Sequence, residues 1–243
     1  MNNIVKGGKN IYGITIGILM LETIFPRIPG EIGNATSFHY PVRYHIVKGA
    51  SPNRVVREKD PALLEPFIKG AQELEKFGVK AITTNCGFLG QFQPEIADAV
   101  NIPFFSSSLM QIPMVYRMLK RDQKVGVLTV NGAALTSDLF KKVGADNIPI
   151  VVKGLENEEE FTHALLDNRL EMDVDKARAE NVKVAKELIK ENPDVGAIVL
   201  ECTNMPPYAK AIQEAVQLPV FDIFTLTDMV YNSLVKLEVI GYM

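Results

Sequence analysis

Residues 78–106 read GVKAITTNCGFLGQFQPEIADAVNIPFFS, and residues 194–222 read DVGAIVLECTNMPPYAKAIQEAVQLPVFD. The two segments align without a gap at an offset of 116. Nine of their 29 paired positions are identical, among them Cys86/Cys202, Ile96/Ile212 and Pro103/Pro219. Most of the shared residues are apolar and fall where a buried strand and an amphipathic helix need them, so a structural repeat accounts for them. It does not account for the thiols. They are the only two cysteines in the sequence, and each directly follows a strand-like run and directly precedes a turn and a helix.

Outward from this repeat, strand-like runs alternate with helical spacing. Strands are expected at about 11–20, 42–47, 81–84 and 104–106 in the first half, and at 125–130, 148–152, 197–200 and 220–221 in the second. Asp60-Pro61 reads as a helix N-cap followed by proline at the first helical position. Leu63, Leu64, Phe67, Ile68, Ala71, Leu74 and Phe77 then recur at helical spacing up to Gly78, a closing residue. Residues 156–192 are charged and read as mostly helical, and a last helix is expected at about 225–238. This alternation means parallel sheets with helices on both faces. The fold expected is therefore α/β, two pseudo-symmetric parallel-sheet αβα lobes with the active site in the crevice between them. Residues 1–112 plus 219–243 would form the lobe carrying Cys86, and residues 113–218 the lobe carrying Cys202.

Composition narrows the partners. The chain has 243 residues, 47% hydrophobic and 23% charged, with a formal net charge of −3. That gives no reason to expect nucleic acid or an anionic membrane as partner. Two cysteines in a chain this long are too few for a disulfide framework, which points to a reducing, cytoplasmic setting. Lys6 and Lys9 before the apolar run Ile11 to Leu21 have the order of a secretory signal. The run reads instead as a strand: Gly13 and Gly17 interrupt it, Glu22 ends it, and eleven residues cannot span a bilayer as a helix. Asn34-Ala35-Thr36 matches a glycosylation acceptor, incidental in a chain that is not secreted. His39, His45 and His163 show no ligand spacing relative to the cysteines, so no metal site is expected.

In open parallel sheets the ligand crevice lies beyond the carboxyl ends of the strands, where both cysteines fall. Free N–H groups and the positive end of a helix would lower a thiol pKa there and give a poised thiol/thiolate pair. An inert buried pair and a redox pair are the alternatives at this stage. Asp222 reads equally as a helix N-cap and as a catalytic acid.

TTNCGF (83–88) and LECTNMPPY (200–208) resemble the two active-site segments of the aspartate/glutamate racemase superfamily, which includes amino-acid and hydantoin racemases, maleate isomerase and arylmalonate decarboxylase. The resemblance follows the element order over nearly the whole chain. It implies two α/β lobes enclosing the substrate and paired cysteines, Cys86 and Cys202, that exchange an α-proton without a cofactor. Asn85, Gly87, Phe88, Thr203 and Asn204 would hold the substrate, and Glu22, Thr23 and Asn131 would add polar groups by position. It further implies a small carboxylic acid as partner and a homodimer. Inversion of a carbon centre requires a base on one face and an acid on the other, and two thiols can exchange those roles. The activity expected is thus a racemase or isomerase, acting on an acidic amino acid such as aspartate or glutamate. Decarboxylation or cis-trans isomerisation of a small dicarboxylic acid, or a non-catalytic binding protein, stand beside it. The turn after strand one departs from the amino-acid racemases: LETIFPRIPGEIGN replaces a small glycine-rich turn. The 22–41 loop is accordingly expected to close as a lid, with Arg27, or else Arg43 or Arg54, meeting the far end of the substrate.

Overall fold

The computed structural model describes residues 4–243. Two four-stranded, all-parallel sheets carry the fold. The first contains β1 (Ile16–Leu21), β2 (Val42–Val47), β3 (Ala81–Thr84) and β4 (Phe104–Phe105) in the order β2-β1-β3-β4. The second contains β5 (Lys124–Thr129), β6 (Ile150–Gly154), β7 (Val195–Leu200) and β8 (Val220–Phe221) in the order β6-β5-β7-β8. The orders are the same in both, so the repeat read from two segments extends to whole lobes. Strands β1 and β7 are buried at every position, as strands covered on both faces must be.

The helices are α1 (Leu64–Phe77), α2 (Gln93–Asp98), α3 (Ile112–Met118), α4 (Ser137–Lys142), α5 (Phe161–Leu166), α6 (Val174–Glu191), α7 (Ala209–Val216) and α8 (Ile223–Leu234). Asp60 caps a 3-10 turn, Pro61–Leu63, its carboxylate accepting from the Ala62 amide at 2.9 Å, and α1 continues from that turn at Leu64, three residues after the expected Pro61 start. It ends at Gly78, whose φ of 112° suits the residue without a side chain. The glycines inside strands mark close packing. A Cβ on Gly17 of β1 would stand 3.0 Å from Leu74 of α1, and one on Gly126 of β5 would stand 2.8 Å from Leu188 of α6. Each lobe thus seats its long helix against a glycine of its central strand.

Several expectations need correction. Residues 11–15 lie outside β1, which starts at Ile16, and residues 4–13 are exposed. Strand β6 runs two residues later than expected. Residues 219–243 do not belong wholly to the first lobe. Strand β8 pairs with β7 in the second sheet, and the chain then crosses back so that α8 covers the first, Ile223 and Leu226 joining Ile16, Ile18, Met20 and Phe105 in one apolar cluster. The crossover lies at Asp222, whose side chain accepts from the Phe224 and Thr225 amides at 2.9 and 3.0 Å. A capping box settles its open reading in favour of the N-cap. A second cluster runs without interruption from Leu19 and Ile82 in the first lobe to Leu128, Leu200 and Cys202 in the second. No helix among the described residues is long and apolar enough to cross a membrane.

Candidate active site

Strands β3 and β7 end at the interface between the lobes and deliver Cys86 and Cys202 there. On the first side, the Cys86 amide donates to Thr84 Oγ1 at 3.3 Å, and Thr84 Oγ1 donates to the carbonyl of Ser106 at 2.7 Å. Cys86 then caps a short 3-10 turn, Gly87–Phe92. On the second side, Asn204 Nδ2 donates to Cys202 Sγ at 3.4 Å. The lobes are tied at this seam by hydroxyls and by ion pairs: Thr203 Oγ1 donates to the Asn85 carbonyl at 2.5 Å and Ser108 Oγ to the Leu200 carbonyl at 2.6 Å, while Arg57 pairs with Asp167 at 3.1 Å and Lys142 with Glu95 at 2.7 Å.

Both free thiols line one cavity between the lobes. Its polar lining is Asn85, Cys86, Glu201, Cys202 and Asn204, and its walls are Leu21, Phe25, Pro52, Val56, Gly87, Phe88, Val130, Leu165 and Leu166. Asn85 Oδ1 accepts from the Leu21 amide at 2.7 Å, which leaves the NH₂ end of this amide for the cavity. No lysine, arginine or histidine is among the lining residues.

The thiols are not poised as helix termini alone would make them. Burial pushes Cys86 well above its usual value, with the nearby Glu201 and Cys202 acting in the same direction. The amides of Phe88 and Leu89 oppose the shift without reversing it. Cys202 is pushed up to about 12 by burial and by Glu201, against the donors of Asn204. In an apolar enclosure desolvation of the anion exceeds what two or three N–H groups return. Burial also moves Glu201 up to about 8, the Thr129 hydroxyl opposing at 2.7 Å.

Of the residues expected at the site, Asn85, Cys86, Gly87, Phe88, Cys202 and Asn204 meet around this cavity, whereas Glu22, Thr23, Arg27, Asn131 and Thr203 do not line it. Glu22 is exposed and accepts from the Gly49 amide. Asn131 caps a 3-10 turn. Arg27 is engaged inside its own loop: it pairs with buried Glu31, donates to Thr23 Oγ1 at 2.6 Å and lies 4.6 Å over the Phe25 ring. Arg54 is paired with Asp60 at 2.6 Å, and Arg43 lies 4.8 Å over Phe77. None of the three guanidiniums reaches the cavity, because each is already neutralised or stacked close to home. The 22–41 loop instead contributes Phe25 to the wall and packs across the seam, Gly30 lying against Pro207.

Glu201 had been passed over. Its signal in the sequence was an acidic residue closing an apolar strand, at the repeat position held by Asn85. Phe25, Pro52, Val56, Leu165 and Leu166 carried no signal, since apolar loop and helix residues read as core. Among the described residues no group of three or more His, Cys, Asp or Glu is placed to hold a metal ion.

Among curated proteins, this chain is 30% identical over 233 residues to a dimethylsulfoniopropionate lyase of Durusdinium sp. clade D, covering 93% of this chain and 77% of that protein. It is 31% identical over 221 residues to dimethylsulfoniopropionate lyase 7 of Emiliania huxleyi, covering 87% of this chain and 64% of that one, so it spans less than two thirds of the algal protein's length. In fold it is similar to a Gly74Cys mutant of arylmalonate decarboxylase, with a TM-score of 0.60 at 15% identity, covering 94% of this chain and 97% of that one. It is also similar to the glutamate racemase RacE1 of Bacillus anthracis, with a TM-score of 0.57 at 15% identity, covering 90% of this chain and 82% of that one. The curated relatives overturn the expectation of an amino-acid racemase, and with it that of an isomerase: at about 30% identity over most of this chain they are lyases. That reaction type is closer to the decarboxylase set beside the racemase than to stereochemical inversion. The fold, the paired cysteine strands and a match of residues 47–227 to the Asp/Glu/hydantoin racemase model together establish that the chain belongs to the Asp/Glu/hydantoin racemase family.

Proposed function

We propose that the protein is a lyase that splits 3-(dimethylsulfonio)propionate, or a close onium carboxylate, by β-elimination. The observation that carries this reading is the lining of the cavity: two thiols, two amides and one carboxyl in an apolar wall without a basic side chain. A second carboxylate on the substrate would find no cation there, whereas an onium group would find Glu201 and the rings of Phe25 and Phe88. The lyases related to this chain support the same substrate class.

The reaction fits these groups. The substrate carboxylate lies against Asn85, Asn204 and the turn amides after Cys86, which take up the charge that develops when C2 loses a proton. A thiolate of the pair removes that proton. Its electrons form the C2=C3 double bond of acrylate, and the C3–S bond breaks with its electron pair on sulfur, releasing neutral dimethyl sulfide. The leaving group needs no acid. A thiol raised by burial is a weak acid at rest but a strong base once ionised, which suits a carbon acid. The test is incubation of the protein with 3-(dimethylsulfonio)propionate, following dimethyl sulfide by headspace gas chromatography and acrylate by proton NMR. Equimolar release of both is the expected result. Hydrogen exchange at C2 in deuterated water with no acrylate formed would overturn the elimination.

A further inference from the structure

Glu201 is fully buried, and only one of its carboxyl oxygens is used. Oε2 accepts from Thr129 Oγ1 at 2.7 Å, while Oε1 has no hydrogen-bond partner. That free oxygen lies against Gly87, beside Cys86 in the opposite lobe, and the side chain lines the cavity. A buried carboxyl half-satisfied at a seam costs the fold stability, because its ionised form is desolvated without a counter-charge. Asn85, at the equivalent position of the other lobe, spends its oxygen on the Leu21 amide and stays neutral. The asymmetry therefore places one potential negative charge in the cavity, on the second lobe's side only.

Resting on the lyase reading, we propose that Glu201 is the residue that selects a cationic substrate, its free Oε1 facing the onium group while the amides hold the carboxylate. The titratable groups that face it are the two thiols, Cys86 and Cys202, both pushed up by burial and, to a lesser degree, by Glu201; no basic group lines the cavity to compete for it. With its carboxyl at about 8, Glu201 is mostly protonated at pH 7. Binding of a cationic head group then expels a proton, and binding of an analogue of the same shape with an uncharged head group does not.

The test uses a matched pair of ligands, the zwitterion 3-(trimethylammonio)propanoate and the isosteric carboxylate 4,4-dimethylpentanoate, whose head group carries no charge, measured by isothermal titration calorimetry at pH 7 in two buffers of different ionisation enthalpy. The wild type is expected to favour the cation at least tenfold and to release close to one proton on binding it. Glu201→Gln is expected to bring the two affinities within about twofold and to abolish the proton release, with the isostere's affinity kept. Thr129→Val, which removes the hydroxyl from Oε2 and so raises the carboxyl further, is expected to weaken the cation a few fold and leave the isostere unchanged. Glu201→Gln retaining the tenfold preference, or losing both ligands equally, overturns the proposal. Acrylate formation is scored separately on the wild type. Its absence with the cation preference intact overturns the lyase reading alone, and its presence without the preference overturns the role of Glu201 alone.

Discussion

The two cysteine turns occupy the same place in two copies of one fold, yet they offer different chemistry. Cys86 is preceded by a neutral amide whose oxygen is committed to the Leu21 backbone, and it faces the amides of a 3-10 turn. Cys202 is preceded by a carboxyl with a free oxygen and receives a side-chain donor from Asn204. A reaction that runs equally in both directions about a carbon centre favours two like environments. An elimination has one base, one developing charge and one onium group that departs as a neutral sulfide, and it favours unlike ones. The repeat supplied the pair of thiols, and divergence at the residue before each supplied the polarity.

The comparison can be broken most directly at sulfur. Cys86→Ala and Cys202→Ala are expected to lower kcat/KM for acrylate release by about 10³-fold in the variant that loses the base, within the usual range for removing an acid–base group. Steady-state kinetics on both variants measures how unequal the two turns are. Losses within twofold of each other would make the thiols equivalent and remove the asymmetry from the mechanism.

Gly87→Ala strikes the contact between the turns. A Cβ there would overlap both the carboxyl and the backbone carbonyl of Glu201, neither of which can retreat across the buried seam. Destabilisation of about 3 kcal/mol is expected, read by urea denaturation. The matching substitution in the second turn, Thr203→Ala, only removes a hydroxyl from the Asn85 carbonyl and should cost nearer to 1 kcal/mol.

A pH series tests the electrostatic half of the contrast. The carboxyl of Glu201 rests at about 8 in the fold and near 4.5 when exposed. Below 4.5 both states hold the proton and nothing is lost. Between 4.5 and 8 the unfolded chain gives it up first, so this group's contribution to stability falls as pH rises, and it levels off above 8. Over the window the loss is on the order of 5 kcal/mol. Glu201→Gln should therefore gain in Tm relative to the wild type between pH 5 and 9, with the gap closing at acid pH. A constant gap would show that the carboxyl ionises in the fold as freely as in water. Asn85→Asp, its mirror, should introduce the same slope.

The smallest effect is expected at Arg27→Ala. Its guanidinium serves Glu31, Thr23 and Phe25 rather than the cavity, so KM should stay within twofold while Tm falls, the buried Glu31 carboxyl, already raised to about 7 by burial, taking up a proton in place of its partner. A large rise in KM with unchanged Tm would return this arginine to substrate recognition.

The sequence by itself determined the repeat, the parallel α/β lobes, the helix bounded by Asp60 and Gly78, and the convergence of Cys86 and Cys202. These follow from local periodicity, capping chemistry and the rule that crevices form at strand carboxyl ends. It also carried the family likeness, but family membership is compatible with several reactions, and the racemase expectation failed at that point. Tertiary structure decided what periodicity cannot encode. Whether Arg27 is free depended on Glu31 lying within its reach. Whether a thiol at a helix entrance is acidic depended on how much apolar wall surrounds it, and Phe25, Val56, Leu165 and Leu166 come from segments distant in sequence. Burial is a property of everything that packs around a group, whereas a sequence motif reports only its neighbours along the chain. That difference turned an expected poised thiol/thiolate pair into one half-buried and one buried thiol, both raised, beside a carboxyl with a free oxygen.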